Sequence, residues 1–318
     1  MSDGLRAALE RCALADRSIL PRILATGPDL LDLLHRLSTN AVKDLEPGEG
    51  RATVLTTPKG RIAHRLAVHR LPDAGVLLVG GTGGAGAVLE HFRRFTFAEQ
   101  LGLSDVTDSW AHFAVVGPQA PTTLTAAGLP VPTEYGCAAA TLAGARVFVA
   151  GGDGLGADGC SVFVPQRAAG EAVWNELARV AGAVLDAPTL EAWRILRMRP
   201  AAETELTEDR TPLEAGLRAE IDFAQGCSVG QEVVARLNTY DKVVRRLVRL
   251  EFEPGSSAPG RDAGVWIEGR EVGVVTSSIV PPGSDAPAAL AFVRRESAVE
   301  GAIVRVDDST ARIAAVAS

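Results

Sequence analysis

TEDRTPLEAGLRAEIDFAQGCSVGQEVVARL, residues 207–237, combines a short helical turn, a glycine-flanked bend and the start of a helix. The bend holds Gly226, Cys227 and Gly230, and Gln231 opens the helix. A cysteine just before a helix N-terminus faces the positive end of the helix dipole, which lowers a thiol pKa. Cysteine is also a common small buried hydrophobe. The local pattern therefore leaves both a reactive thiol and a structural one open.

Upstream of this segment the sequence predicts an α+β unit with an antiparallel sheet. Residues 5–15 and 30–37 are predicted as helices, the second with leucines at helical spacing. The runs RATVLTT and RIAHRLAVHRL, separated by a Pro-Lys-Gly turn at residues 58–60, predict a β-hairpin. A β-β-β-α-β order continues to residue 116 and favours layered α+β architecture.

Downstream of residue 242 the pattern of apolar and turn residues changes. Short apolar runs such as LVRLEFEP and VWIEGREVGVVTSSIV are separated by Gly, Pro and Asp turns. Strands at such regular spacing are typical of a small β-barrel. We therefore expect a domain boundary near residue 242.

Composition excludes several classes of protein. The formal net charge is -7 and charged residues make up 22% of the chain, so non-specific nucleic-acid binding is not expected. No run of roughly eighteen apolar residues occurs, which predicts no membrane partner. Four scattered cysteines without a CxxC pair predict neither a metal site nor a disulfide framework. A cytoplasmic location is the resulting expectation.

Two glycine-rich stretches resemble phosphate or cation loops only superficially. GGTGGAG at residues 80–86 lies between a predicted strand and a predicted helix, but it does not satisfy GxGxxG. The loop at residues 151–159 carries two aspartates but lacks the terminal bidentate Glu of a Ca²⁺ loop. We interpret the first as a plain turn and the second as a hairpin connection.

Residues 225–232 (QGCSVGQE), preceded by TPLEAG at residues 211–216, resemble a motif of the YgfZ-like branch of the glycine-cleavage T-protein superfamily. That motif is Lys-Gly-Cys-aromatic-x-Gly-Gln-Glu after Leu-Pro-x-Glu-Ala-Gly. VVAR at residues 233–236, HRLSTN at residues 35–40 and LTTPKGRI at residues 55–62 are also similar to the family. The resemblance covers nearly the whole chain, and its specific part is the cysteine-centred motif.

The resemblance implies an α+β fold with two interleaved α+β domains around a central ligand cavity, plus a C-terminal small antiparallel β-barrel. Residues 1–48 and 117–242 correspond to the interleaved domain that carries the cysteine motif. Residues 49–116 correspond to a ferredoxin-like α+β domain, and residues 243–318 correspond to the barrel domain.

The resemblance also implies a function, namely a folate-binding protein that assists the assembly or repair of iron–sulfur enzymes. Tetrahydrofolate is the implied cofactor, and iron–sulfur client enzymes are the implied partners. Cys227 and His64 are the candidate catalytic residues. The candidate cofactor-binding residues are Gln225, Gly226, Gly230, Gln231, Glu232, Arg236, Arg197 and Glu203.

Departures from the family pattern bear on mechanism. T-proteins that transfer a one-carbon unit carry Gly-Gly-hydrophobic-x-Asp-Asp, but the corresponding residues 60–65 (GRIAHR) contain no carboxylate. His64 is then either a general base or ligand contact, or an exposed strand histidine. Arg199 stands where the family has a pterin-binding Glu, which leaves Glu203 and Glu205 as substitutes.

Three functional hypotheses follow. The first is the folate-dependent accessory protein, in which Cys227 is essential. The second is a tetrahydrofolate-dependent aminomethyl- or methyltransferase, disfavoured by the missing Asp. The third is a non-catalytic binding module that kept the fold and changed its ligand.

Overall fold

The computed structural model describes residues 1–152, 159–226 and 228–317. Its helices are α1 Asp3–Glu10, α2 Leu30–Leu37, α3 Gly84–Phe95, α4 Ala120–Ala126, α5 Gly170–Ala181, α6 Ala187–Leu196 and α7 Gln231–Thr239. Its strands are β1 Ala13–Asp16, β2 Arg22–Thr26, β3 Gly50–Thr56, β4 Ile62–Arg70, β5 Val76–Gly80, β6 Gly102–Asp105, β7 Ala111–Val116, β8 Cys137–Leu142, β9 Ala145–Gly151, β10 Gly159–Val164, β11 Val184–Leu185, β12 Arg245–Phe252, β13 Gly264–Ile267, β14 Arg270–Ile279, β15 Ala288–Arg294, β16 Ile303–Val306 and β17 Ser309–Val316.

One sheet has the strand order β3-β4-β5-β2-β6, and its neighbouring strands are antiparallel. Helices α2 and α3 cover one of its faces. The leucines of α2 at positions 30, 33, 34 and 37 are buried against Leu66 and Val68 of β4, as their spacing predicts. The predicted hairpin is confirmed as β3 and β4, and Gly60 supplies the positive φ of +66° in its turn.

A second sheet has the strand order β11-β1-β7-β10-β9-β8. Helices α4 and α5 cover its outer face, where Leu124 and Leu177 pack among the strand residues. The inner faces of the two sheets pack on each other through aromatic and aliphatic side chains, among them Val79, Phe148 and Phe163. Strands β2 to β6 of the first sheet lie along the chain between β1 and β7 of the second sheet, so the two α+β units are interleaved.

The last six strands named above, from β12 to β17, close into an antiparallel barrel in the order β12-β15-β14-β13-β16-β17. Alternate side chains of these strands fill its interior, for example Val248, Leu250 and Ile313. Its outer surface contributes Leu247 and Phe292 to a cluster that also contains residues of the β3–β4 hairpin and of α6. This cluster joins the barrel to both α+β units.

One local prediction was wrong and one strand was missed. The helix predicted over residues 5–15 ends at Glu10, and residues 13–16 form β1 because they pair with β7 and β11. The strand β8 was not predicted, since its sequence CAAATL carries little β-branched or aromatic signal. In both places pairing with a neighbouring strand outweighs local propensity.

Candidate functional site

A cavity of about 400 Å³ opens where the two sheets and the barrel meet. We call it the central cavity. One side is apolar and includes Met198, Leu217 and Ala317, the last from the end of the barrel. The other side is polar and includes Tyr135 and Glu220. A cavity of this size, with an apolar wall and a few polar groups, is typical of a small-molecule site.

Glu220 is the buried carboxylate of the central cavity. It closes a short 3-10 turn, Arg218–Glu220, that follows the TPLEAG stretch. The turn is fixed because the Thr39 hydroxyl donates to the Glu220 carbonyl at 2.8 Å and the Glu220 amide donates to Leu217 at 3.0 Å. Only 11% of the Glu220 side chain is exposed, although the residue lines the cavity.

Arg65 on β4 is the ionic partner of Glu220. Its Nε lies 3.1 Å from both carboxylate oxygens, and its Nη2 lies 2.8 Å from Oε1. Nη2 also donates to the Tyr135 hydroxyl at 3.2 Å. The planar fork of the Arg65 guanidinium therefore holds the Glu220 carboxylate in one orientation.

His64 points to the other face of β4, because successive side chains alternate across a strand. Its Nδ1 accepts a hydrogen bond from the Thr82 amide at 3.3 Å, and its ring meets His91 edge to face at 5.2 Å. Burial lowers the pKa of His64 to about 4, with His91 and Arg94 adding to the effect. The predicted catalytic histidine is therefore buried and neutral on the side of the sheet that carries α3.

The cysteine motif lies along the C-terminal end of α2 and the β3–β4 hairpin. Gln225 donates to the Ser38 carbonyl at 2.6 Å and accepts at its own carbonyl from Gln231 at 2.9 Å. Gln231 also accepts from the Ser228 amide at 2.9 Å. Gly226, the other predicted ligand contact in this bend, is exposed. These bonds shape the bend from within, and the candidate nucleophile Cys227 lies outside the described residues.

Gly230 permits the close contact between this bend and the hairpin. Its φ is +74°, and a Cβ built on it would lie 2.4 Å from the Thr57 carbonyl oxygen. The Thr56 hydroxyl also donates to the Val229 carbonyl. Any residue larger than glycine would push the motif away from β3.

The remaining predicted ligand contacts lie apart from the central cavity. Glu232 and Arg236 are exposed on α7 and form an i,i+4 ion pair at 3.7 Å. Arg197 lines a neighbouring cavity of about 410 Å³ together with Trp193 and Cys160. Glu203 accepts from the Gly83 amide at 2.6 Å, in the glycine-rich turn near His64.

Glu205, the other proposed substitute for the family Glu, is engaged elsewhere. It is fully buried, accepts from Arg194 at 3.0 Å and accepts from the hydroxyls of Thr276 and Ser277 at 2.6 and 2.7 Å. Arg199, by contrast, lines the central cavity. Sequence reasoning missed Arg65, Tyr135 and Glu220. The signal available was an arginine inside an otherwise mostly apolar strand, which demands a buried partner.

Comparisons with known proteins agree with this architecture. Residues 2–225 match the model of the GCVT N-terminal domain, and residues 245–318 match the glycine cleavage T-protein C-terminal barrel domain. A chloroplastic protein of Arabidopsis thaliana, named as a transferase, is 28% identical over 94% of this chain and 69% of its own length. The aminomethyltransferase of Streptomyces coelicolor is 30% identical over 92% of this chain and 80% of its own length.

A solved structure has the same fold. The glycine cleavage system aminomethyltransferase T of Bartonella henselae superposes with a TM-score of 0.81 at 22% identity, covering 98% of this chain and 87% of that one. The predicted α+β fold with a C-terminal barrel is confirmed by this match and by the strand order. Within the described residues, every helix is too short or too polar to cross a bilayer.

Proposed function

Because this chain belongs to the glycine cleavage T-protein family, we propose that it binds tetrahydrofolate, or a one-carbon derivative of it, in the central cavity. The observation that carries this proposal is the cavity of about 400 Å³ between both sheets and the barrel, with the buried carboxylate of Glu220 on its wall. A carboxylate that accepts N–H bonds suits the amino-substituted ring of a folate.

The residues of the cavity fit such a ligand chemically. Met198, Leu217 and Ala317 offer apolar surface to a planar ring. Arg51 lines the same cavity with an exposed side chain, and a guanidinium suits the carboxylates of the glutamyl tail. When bound, a reduced folate supplies a nitrogen pair that carries a one-carbon unit. The contribution of the chain is to bind the ring, orient it and exclude water.

Isothermal titration calorimetry with folinic acid and the full chain tests this proposal. We expect one site per chain with a Kd of roughly micromolar or tighter. Lack of binding at millimolar ligand, checked by thermal shift, would contradict it. That result would instead support the non-catalytic module with a changed ligand, which Arg199 in the expected Glu position motivates.

The finer proposal is the YgfZ-like role, in which the folate-bound protein supports iron–sulfur enzymes through Cys227. It is supported by the resemblance of residues 225–232 to that branch and by the bonds of Gln225 and Gln231, which give the bend a defined shape. In a strain that lacks this protein, the wild-type chain should restore the activity of iron–sulfur enzymes and Cys227→Ala should not.

Cys12→Ala is the matched control, because Cys12 is buried and its thiol is 2.9 Å from the Thr123 hydroxyl, away from the motif. It should restore activity as the wild type does. If Cys227→Ala fully restored the activity of the iron–sulfur enzymes, the thiol would not be required and the proposal would be contradicted.

A second candidate function is one-carbon transfer to or from tetrahydrofolate. The observation in its favour is similarity to aminomethyltransferases over about nine-tenths of the chain. The absence of a carboxylate in residues 60–65 stands against it. Purified protein should be assayed for 5,10-methylenetetrahydrofolate formation from an aminomethyl donor. Turnover that depends on Glu220 and not on Cys227 would favour this candidate over the accessory role.

A further inference from the structure

We infer that Glu220 is the carboxylate that contacts ligand in the central cavity, and that Arg65 acts as its positioning residue from behind. This inference rests on the proposed function, because it names the residues that hold the ring of the bound folate. It assigns the recognition of ring N–H donors to a carboxylate from residues 218–220, and not to Glu203 or Glu205.

Burial distinguishes Glu220 from the other carboxylates nearby. Glu134 also lines the central cavity, but it is exposed and lines the neighbouring cavity as well. Glu203 accepts from Gly83, and the two oxygens of Glu205 bond to Arg194, Thr276 and Ser277. Only 11% of the Glu220 side chain is exposed and the residue lines the cavity, so water would compete little with its hydrogen bonds to a ligand.

Arg65 fixes the carboxylate without occupying the site. It is not among the described residues that line the cavity, whereas Tyr135 and Glu220, which accept its hydrogen bonds, both line it. Oε1 accepts from Nε and Nη2, and Oε2 lies 3.1 Å from Nε. Each carboxylate oxygen has two lone pairs. The lone pairs that do not accept from Arg65 can accept hydrogen bonds from a ligand in the cavity, while the guanidinium of Arg65 fixes the plane of the carboxylate.

The chemistry of the pair selects a class of ligand. A buried carboxylate held by a guanidinium offers hydrogen-bond acceptors to the cavity, so it matches an uncharged ring that presents an amino group next to a ring N–H, as in a 2-amino-4-oxopyrimidine. It disfavours ligands that lack the amino group, because the carboxylate would then lose an N–H partner in a desolvated place. The apolar wall of Met198 and Leu217 then packs against the face of the ring.

Calorimetry with folinic acid and its 2-desamino-2-methyl analogue tests the inference. On the wild-type chain the analogue should bind roughly 10- to 100-fold more weakly, because one hydrogen bond to a charged group is lost. The Glu220→Gln variant should bind folinic acid more weakly than the wild type by a similar factor, and its affinities for the two ligands should be nearly equal. Glu176→Gln, which changes an exposed carboxylate on α5, is the matched control and should bind as the wild type does.

The positioning role of Arg65 has its own readout. Arg65→Lys keeps the charge but loses the planar fork, so folinic acid should bind more weakly. In the double variant Arg65→Lys, Glu220→Gln the affinity should be no lower than in Glu220→Gln alone, because Arg65 acts through Glu220. Additive losses would assign Arg65 a merely structural role and would overturn that part of the inference.

The outcomes separate this inference from the proposed function. If the wild type binds folinic acid and Glu220→Gln binds within threefold of it, the inference fails and the proposed function stands. If the wild type does not bind, both fail. If Glu220→Gln does not fold, the test is the affinity of the wild-type chain for folinic acid compared with that for the analogue. Equal affinities would overturn the inference.

Discussion

Single residues in the interior between the two sheets carry titratable groups that the fold keeps neutral. His69 on β4 is 2% exposed and its Nδ1 lies 2.8 Å from the Tyr135 carbonyl oxygen, to which it donates. Burial lowers the pKa of His69 to about 4. His112 on β7 is fully buried and bonds Ser161, and burial followed by the charges of Arg22 and Arg17 keeps its pKa well below its usual range.

Stability should therefore fall on mild acidification. His69 is neutral in the fold but takes up a proton near pH 6.5 when the chain unfolds, so its contribution is present above pH 6.5 and is lost as the pH falls toward 4. Between pH 7 and pH 5 this histidine alone should lower the free energy of unfolding by about 2 kcal/mol. His69→Asn keeps a donor for Tyr135 but cannot titrate. Urea unfolding at pH 7, 6 and 5 should show a shallower decline for that variant, and equal declines would refute the assignment.

Gly230 offers a second prediction for a single residue. Gly230→Ala combines an unfavourable positive φ with a clash against the Thr57 carbonyl, so we expect the free energy of unfolding to fall by about 2–3 kcal/mol. Gly182→Ala is matched to it, because Gly182 has a φ of +70° with no atom within 4 Å of an added Cβ. That control should lose only about 1 kcal/mol. Similar losses in both variants would mean that the close contact with the hairpin contributes nothing.

Secondary-structure elements are held together at the barrel by a buried ion pair. Arg194 near the end of α6 pairs with Glu205, which also bonds the hydroxyls on β14. Although burial opposes ionisation of Glu205, Arg194 and these hydroxyls hold the pKa of its carboxyl below the usual value. Arg194 has a second partner, Glu191, whose side chain is 43% exposed. One arginine thus joins a buried and an exposed carboxylate.

The two partners of Arg194 should differ in their contribution to stability. Glu205→Ala leaves a buried guanidinium without its main counter-ion, so the free energy of unfolding should fall by about 3–5 kcal/mol. Glu191→Ala removes a solvent-screened partner and should cost about 1 kcal/mol or less. Denaturant unfolding of both variants measures the difference. Comparable costs would show that α6 does not depend on the buried pair for its docking on the barrel.

The whole molecule encloses the central cavity, so a ligand there should act on all three units together. Gly50 belongs to the first sheet, Tyr135 precedes β8 of the second, and Ala317 ends the barrel, yet all three line the cavity. A molecule that bridges them stabilises the assembled state over any state in which one unit has separated.

Folinic acid at a hundred times its Kd should raise the free energy of unfolding by about 2.7 kcal/mol. Hydrogen exchange should slow in residues 50–52, in residues 134–135 and at the end of the barrel near residue 317. Glu220→Gln, exposed to the same ligand concentration, should show smaller protection in all of these segments. Protection confined to one unit would contradict a binding site between the three.

How much could be predicted from the sequence depends on the range of the interactions involved. Helix α2 was predicted at its observed limits, and the hairpin of β3 and β4 was predicted in place, because leucine periodicity and a glycine turn act within a few residues. The cysteine motif was identified by its resemblance to the family. Strand β8 was not predicted, since an alanine-rich segment becomes a strand only when β9 lies beside it.

The sequence by itself determined the hairpin, the second helix and the barrel, because local periodicity and turn chemistry specify them. Only the tertiary structure decided that Arg65, and not His64, points toward Glu220, which lies 155 residues away along the chain. The physical reason is that a buried charge needs a partner, and the chain can supply that partner from any distance once the sheets and the barrel have packed.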